Sequence, residues 1–316
     1  MLRPDATLAD NPTTMPVVKS IEGVPTRTDV AFTNQAGVEK SGVRKDAEKA
    51  LKNLSPVLRR MLAPEEFVVY VAGGCSPMNG VEQYTFGYFA QFVSRVTLVF
   101  TNMRLLAFRV NSKGKWTNSV RSCALGDLQS AKCSGFLMRH LKLIYANGKK
   151  ESYWAMKLRD KAKLSAILPK LLEANAGKQT PAQGMQPICP TCAAALVEKL
   201  YECNGCGQRF RSEDSLWWRA FIPGAGYFYA QQSGMGVLHA IVDSIITIEF
   251  LLVIVAAFVP TPGQPPQEAW FVVGWITFLL FLERAIALSH ARRFVREFIP
   301  IQGTARAAAQ AASAGR

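Results

Sequence analysis

Two long apolar runs near the C-terminus, residues 236–259 and 269–289, constrain this chain more than any other feature in it. About 20 residues rising ~1.5 Å each are enough to cross a bilayer core of roughly 30 Å as a helix, so each run is long enough. The first is marginal alone. Its Leu, Ile, Val and Phe side chains favour insertion by roughly 7 kcal/mol, while Asp243 and Glu249 at about 3 kcal/mol each oppose it by roughly 6. The second carries only Glu283 and Arg284 as charges. A short Pro/Gly-rich connection, 260–268, joins them, so a transmembrane helical hairpin is expected. That connection has no Lys or Arg, whereas Arg209, Arg211 and Arg219 precede the first run and Arg292, Arg293 and Arg296 follow the second. Both ends are therefore expected on the cytosolic side, a multi-pass arrangement in the inner (cytoplasmic) membrane of a bacterium. Trp217, Trp218 and Trp270 suit the two interfacial belts. The first eighteen residues lack an apolar core behind a basic start, so no secretory signal is expected.

Depth arithmetic places the intramembrane charges. Asp243 lies seven residues into the first run, and Arg284 stands about five from the cytosolic end of the second. At ~1.5 Å per residue both are roughly 8–10 Å deep, so an Asp243–Arg284 pair is expected to staple the hairpin, with His239 one turn away. Glu249 falls near mid-membrane with no matching cation. Three roles stay open for it: a protonated side chain, a contact to a second subunit, or part of an ion path.

Four of the seven cysteines form two pairs, Cys189-Pro-Thr-Cys192 and Cys203-Asn-Gly-Cys206, separated by ten residues. Two tight turns at that spacing can present four thiolates to one tetrahedral ion. Gly205 and Gly207 supply small, permissive positions, and Leu196, Leu200, Tyr201 and Phe210 are the apolar residues at hand to cover the ion. So short a unit cannot fold on its own apolar core, so metal binding and folding are expected to be one event. All four ligand positions are cysteine, leaving no open coordination site. Structural zinc fits better than iron or disulfides, and catalytic zinc is not expected. Both knuckles and the Tyr201-Glu-Cys203-Asn-Gly-Cys206-Gly207 stretch resemble the zinc ribbon family.

The net charge of +14 is not spread evenly. Residues 51–180 hold twenty basic against seven acidic side chains, +13, while residues 1–50 balance and residues 181–316 carry +1. A specific anionic surface, lipid headgroups or nucleic acid, is the implied partner. Within this segment, residues 46–62 show apolar positions at helical spacing, broken or restarted near Pro56. Stretches 66–71, 93–101, 104–110, 116–123, 128–133, 137–146 and 151–156 read as strands, and 160–174 as a helix. A half-open barrel capped by that helix is expected.

The Leu98-Val-Phe-Thr-Asn-Met-Arg-Leu-Leu-Ala-Phe pair of strands, the Leu141-Lys-Leu-Ile-Tyr-Ala-Asn-Gly-Lys strand and turn, and the closing helix resemble the bacterial pleckstrin-homology and GRAM-like domains over about residues 60–175. The resemblance implies a β-barrel with a C-terminal capping helix that binds phospholipid or protein and does no chemistry. Arg104 lies in its motif, where a structural role is expected. Lys113, Lys115, Arg121, Lys149 and Lys150 are the candidates for lipid or partner contact, at ~1 kcal/mol per side chain near an anionic surface. The entrance residues Pro223, Gly224, Gly226 and Tyr229 match the Pro-Gly-x-Gly-x-x-Tyr turn of a small two-helix membrane domain, and the resemblance implies the hairpin fold.

The expected organisation is thus a multidomain α+β membrane protein. It comprises a disordered arm, 1–45; a helix with the pleckstrin-homology-like domain, 46–176; a linker, 177–187; a zinc ribbon, 188–212; an interfacial entrance, 213–235; the hairpin, 236–289; and a basic amphipathic extension with a tail, 290–316. No nucleophile–base pair, glycine-rich phosphate loop or open metal site is recognisable, so an enzyme is not expected. The expected function is a membrane-anchored adaptor or scaffold whose basic domain binds anionic lipid or a membrane-associated protein. An oligomeric ion- or proton-conducting protein, resting on Asp243 and Glu249, and a membrane-tethered nucleic-acid binder, resting on the basic segment and the ribbon, are the alternatives.

Overall fold

The computed structural model describes residues 17–78, 80–87, 90–111, 113–136, 139–181, 184–219, 221–258 and 266–301. The first sixteen residues of the expected arm, most of the connection 260–268 and the tail beyond residue 301 lie outside them. The chain divides into two compact units. One takes the chain up to Val197 together with Cys203–Gln208, and the other takes Glu198–Glu202 together with the chain from Arg209.

The first unit opens with a hairpin of β1 (Val18–Ile21) and β2 (Val24–Arg27), a short helix α1 (Thr28–Ala31) and the long helix α2 (Ser41–Met61). β3 (Val68–Cys75) leads through α3 (Gly80–Phe86) and α4 (Ala90–Val93) into β4 (Arg95–Thr101), β5 (Arg104–Val110) and β6 (Trp116–Ala124). A 3-10 turn at Leu125–Asp127 hands the chain to β7 (Leu128–Ser134), β8 (His140–Tyr145) and β9 (Lys150–Tyr153). Helix α5 (Leu158–Ala174) and the two-residue strand β10 (Gln186–Pro187) follow.

These strands form a seven-stranded sheet, ordered β1-β2-β3-β4-β5-β6-β10, and a separate three-stranded sheet, β7-β8-β9. Neither sheet closes on itself among the described residues, so the β-barrel that the resemblance implies is not seen. β10 occupies the edge of β6, pairing Gln186 with Ser122 and Pro187 with Arg121, while the 3-10 turn sends β7 into the second sheet. The isolated bridge Cys75↔Trp154 links β3 to the residue after β9.

The large sheet is covered on both faces. On one, Leu51, Leu54, Leu58 and Met61 of α2 pack against Val68, Val99, Leu106, Phe108 and Val120. On the other, Tyr70, Leu98, Phe100 and Leu105 pack with Leu141, Leu143 and Tyr145 of the small sheet and Leu164 and Leu168 of α5. β4 and β5 therefore read as near-continuous apolar runs rather than alternating ones.

Two expectations for the N-terminal part are corrected. From Val18 the supposed arm is ordered, because β1 and β2 add to the sheet edge, Thr26 pairing with Val68, and Val24 enters the α2 face of the core. Helix α2 starts at Ser41 and runs through Pro56 without a break. Proline removes the donor to the Lys52 carbonyl, and the Ser55 hydroxyl donates to that oxygen instead at 3.2 Å.

The Thr-Asn-x-Arg motif is a structural clasp. Arg104 donates from Nε and Nη2 to the two oxygens of Glu66, both at 2.9 Å, and from Nη2 to the Met61 carbonyl at 2.5 Å. Thr101 donates to the same carboxylate at 2.7 Å, and Asn102 Oδ1 accepts from the Phe67 amide at 3.0 Å. Glu66 is 2% exposed, so this pair is a buried, fork-shaped one.

In the second unit, α6 (Asp214–Arg219) and α7 (Ala225–Tyr229) precede α8 (Ser233–Phe258) and α9 (Pro266–Val295). The stretches Ser233–Ala256 and Trp270–Val295 are long and apolar enough to cross a membrane. Gly224 has φ +67°, and a Cβ there would lie 2.2 Å from the Gly236 carbonyl oxygen, so the entrance turn sits directly on α8. The basic extension expected after residue 290 is not a free amphipathic segment. Its first turn belongs to α9, Phe294 and Phe298 are buried, Phe298 rings lie 5.5 Å from Phe210 and 6.2 Å from Tyr201, and Arg296 pairs with Glu213 at 2.7 Å.

Replacing Arg104 by Leu strands the Glu66 carboxylate inside the unit and should lower its stability by about 3 kcal/mol. Hydrogen exchange on the amides of β4 and β5 measures this, and unchanged protection would refute the clasp.

Candidate functional site

The four expected cysteine ligands come together. Each offers a sulfur, and all four lie within 4.8 Å of one another; Cys189 to Cys206 is 3.6 Å and Cys192 to Cys203 is 3.5 Å. Four sulfurs at ~2.3 Å around a tetrahedral ion stand about 3.8 Å apart, so the group is positioned to hold a metal ion.

Local hydrogen bonds explain how. The first pair sits on a small hairpin closed by the bridge Ile188↔Ala195, with the Cys189 amide donating to Ala194 O at 2.8 Å and the Ala193 amide to Cys189 O at 2.9 Å. The second repeats the design: Cys203 N donates to Gln208 O at 2.9 Å and Gly207 N to Cys203 O at 2.8 Å. In each turn the residue after the second cysteine is left-handed, Ala193 at φ +59° and Gly207 at φ +65°. Glycine adopts that conformation freely; alanine does so at a cost. A Cβ on Gly205 would lie 3.2 Å from Cys192 Sγ, which accounts for the glycine there.

Burial raises the thiols of Cys189 and Cys206 above the ordinary range. At Cys203 burial acts in the same sense, but the amides of Gly205 and Cys206 and the thiols of Cys192 and Cys189 outweigh it and hold the pKa below its ordinary value. Metal binding must displace the remaining protons, so retention weakens as pH falls.

The apolar cover differs from the expected set. Leu196 is buried, but Leu200 is half exposed, and Tyr201 and Phe210 are engaged with Phe298 in the second unit. Nor is 177–187 a free linker. Met185 is buried in the core, Pro187 belongs to β10, and the Ile188 amide donates to Val120 O at 3.1 Å, so the first knuckle grows directly from the sheet.

The five basic candidates do not form one patch. Lys113 and Lys115 are exposed in the β5–β6 turn, where Gly114 O accepts from Asn53 of α2 at 3.1 Å. Lys149 and Lys150 are exposed in the β8–β9 turn, and Ala146 beside them donates to Asp127 O at 2.9 Å, just past the other end of β6. A strand the length of β6 spans roughly 30 Å, so the two turns belong to opposite ends of the sheet. Arg121 lies between them, its guanidinium donating to Met185 O at 3.0 Å.

In the second unit, Arg284 Nη1 meets Asp243 Oδ2 at 2.9 Å, the pairing expected from depth. The Gly224 amide donates to the same oxygen at 3.3 Å. Glu283, not among the expected partners, joins them, its Oε1 2.9 Å from His239 Nδ1. The signal was present in the spacing of His239 and Asp243, four apart on one helix face, but the register of α9 against α8 was needed to find the partner. Glu249 is exposed on α8, and it has no hydrogen-bond or ion-pair partner among the described residues.

Ala193→Gly should relieve the left-handed strain and tighten metal retention, by about 1 kcal/mol, whereas Gly205→Ala should weaken it. Competition with a chromogenic chelator measures both, and identical release from all three proteins would overturn the account of the turns. No family model, no curated protein and no solved structure matches the chain.

Proposed function

We propose that the chain is a membrane-anchored, non-enzymatic adaptor: a helical hairpin fixes it in the bilayer, and its basic α+β unit recognises anionic lipid on the cytosolic side. The observation that carries the reading is the surface of α8 and α9. Ile245, Ile248, Leu252, Phe271, Phe278 and Phe281 are each more than half exposed, an apolar band that water does not favour and lipid does. The arginines that flank the two apolar stretches, and their absence from residues 260–268, favour placing both chain ends in the cytosol.

Four thiolates with no open position favour a structural zinc in the cysteine cluster. The sequence resemblance to pleckstrin-homology and GRAM-like domains supports a binding role, although the sheets of this chain are open. Because the basic turns lie at opposite ends of β6, only one of them can face the headgroups at a time. Membrane residence is tested by alkaline carbonate extraction and by reporter fusions at both termini; release into the soluble fraction would end the proposal. Lipid recognition is tested on the full chain in nanodiscs with and without anionic lipid. One charge-reversed pair, Lys113→Glu with Lys115→Glu or Lys149→Glu with Lys150→Glu, should abolish salt-sensitive protection of the unit, at ~1 kcal/mol per side chain, and the other should not. No effect from either pair would overturn the lipid reading.

A further inference from the structure

At the base of α8 and α9 a second set of metal-ligating side chains converges, separate from the cysteines. His239 and Asp243 stand one turn apart on α8, Glu283 faces them from α9, and one donor atom from each lies within 4.8 Å of the others. His239 Nδ1 and Glu283 Oε1 are 2.9 Å apart. Neighbouring ligands of an ion bound at ~2.1 Å in octahedral geometry stand about 3 Å apart, so this is also a ligand-to-ligand distance.

Two observations point to an occupant beyond a hydrogen bond. Asp243 is 1% exposed, and its Oδ1 has no hydrogen-bond partner, although Oδ2 is satisfied by Arg284 and the Gly224 amide. Next to it lies a cavity of about 10 Å³, lined by Gly224, Tyr227, His239, Asp243 and Arg284 among others, which is room for one water-sized group. The surroundings also hold the donors in place. Tyr227 stacks on the His239 ring at 4.4 Å, its hydroxyl lies 2.9 Å from His290 Nδ1, and Arg284 orients the Asp243 carboxylate. Outer partners of this kind fix metal ligands in protein sites.

We infer that His239, Asp243 and Glu283 form a binding site for a single divalent cation between the two apolar helices, with the adjoining cavity taking a bound water. The donor set, one imidazole and two carboxylates, is hard to borderline and suits Mn²⁺, Fe²⁺ or Zn²⁺ rather than a thiolate-seeking ion. Two carboxylates here face the one guanidinium of Arg284, so the cluster offers more anionic donors than that side chain balances. An ion held by all three serves both carboxylates.

Mn²⁺ separates this site from the cysteines, because carboxylate and imidazole donors suit it and four thiolates do not. The experiment is a Mn²⁺ titration followed by electron paramagnetic resonance on the full chain in detergent, with no more than one equivalent of zinc per chain added first, which the four thiolates take in preference to imidazole and carboxylate donors. In detergent the result does not depend on headgroup recognition, so the failure of one reading leaves the other standing. One Mn²⁺ should bind per chain, with affinity reduced at least tenfold in Glu283→Gln and in Asp243→Asn and unchanged in Glu249→Gln. Asp243→Asn removes the nearer of the two carboxylates beside Arg284 and can fail to fold; Glu283→Gln retains an acceptor for His239 and then carries the test. Mn²⁺ should also raise the melting temperature of the parent protein and not that of Glu283→Gln. No bound Mn²⁺, Mn²⁺ affinity in Glu283→Gln equal to that of the parent protein, or a melting temperature that follows pH and ignores Mn²⁺ would overturn the site.

Discussion

Strands β4 and β5 must be shielded from water on both faces, and the rest of the first unit follows from that requirement. Leu106 and Phe108 look toward α2, while Leu98, Phe100 and Leu105 look toward the small sheet and α5. A single sheet with one wet face could have tolerated alternating polar positions here. Instead α2 has to be long enough to lie along the sheet, which is why it runs through Pro56, and the chain after β6 has to turn away and build a second sheet over the opposite face. The Glu66–Arg104 clasp belongs to the same design. It joins the loop after α2 to the start of β5 and ties the helix carbonyl of Met61 into the pair, so the sheet and its cover are fixed to each other by charge as well as by apolar contact.

Much of this was legible in residues alone. The β-branched and aromatic stretches that become β4, β5, β6 and β7 are recognisable within a few positions, because period and turn residues agree there. The cysteine cluster was legible because its chemistry is contained in the spacing. What escaped is informative. β1 and β2 are four residues each, too short to show a period, and they are ordered by an edge supplied from β3, more than forty residues later in the chain. β10 is two residues long and includes a proline, so nothing local marks it as a strand. Closure of the sheet could not be read because it depends on which segment reaches the β6 edge first, a long-range competition.

Charge tells a similar story at two scales. The excess of +13 in residues 51–180 looked like one surface, yet the exposed lysines of the β5–β6 and β8–β9 turns are separated by the length of β6. Between the apolar helices the reverse holds. Few charges are present, but Asp243, Arg284, His239 and Glu283 are gathered into one polar island, as expected where an isolated charge in hydrocarbon is expensive. Glu249 stands outside it.

The shortness of β10 has a consequence for how this protein can fail. The backbone of β6 at Arg121 and Ser122 is covered by just Gln186 and Pro187, and the chain then passes within one residue into the first cysteine turn. The ordered turn therefore acts as the peg that keeps this edge occupied. A chain that loses its grip there bares an unpaired strand in an otherwise apolar sheet, the kind of edge to which a second chain can add. A metal ion held by these cysteines would thus also guard that edge against the addition of a second chain.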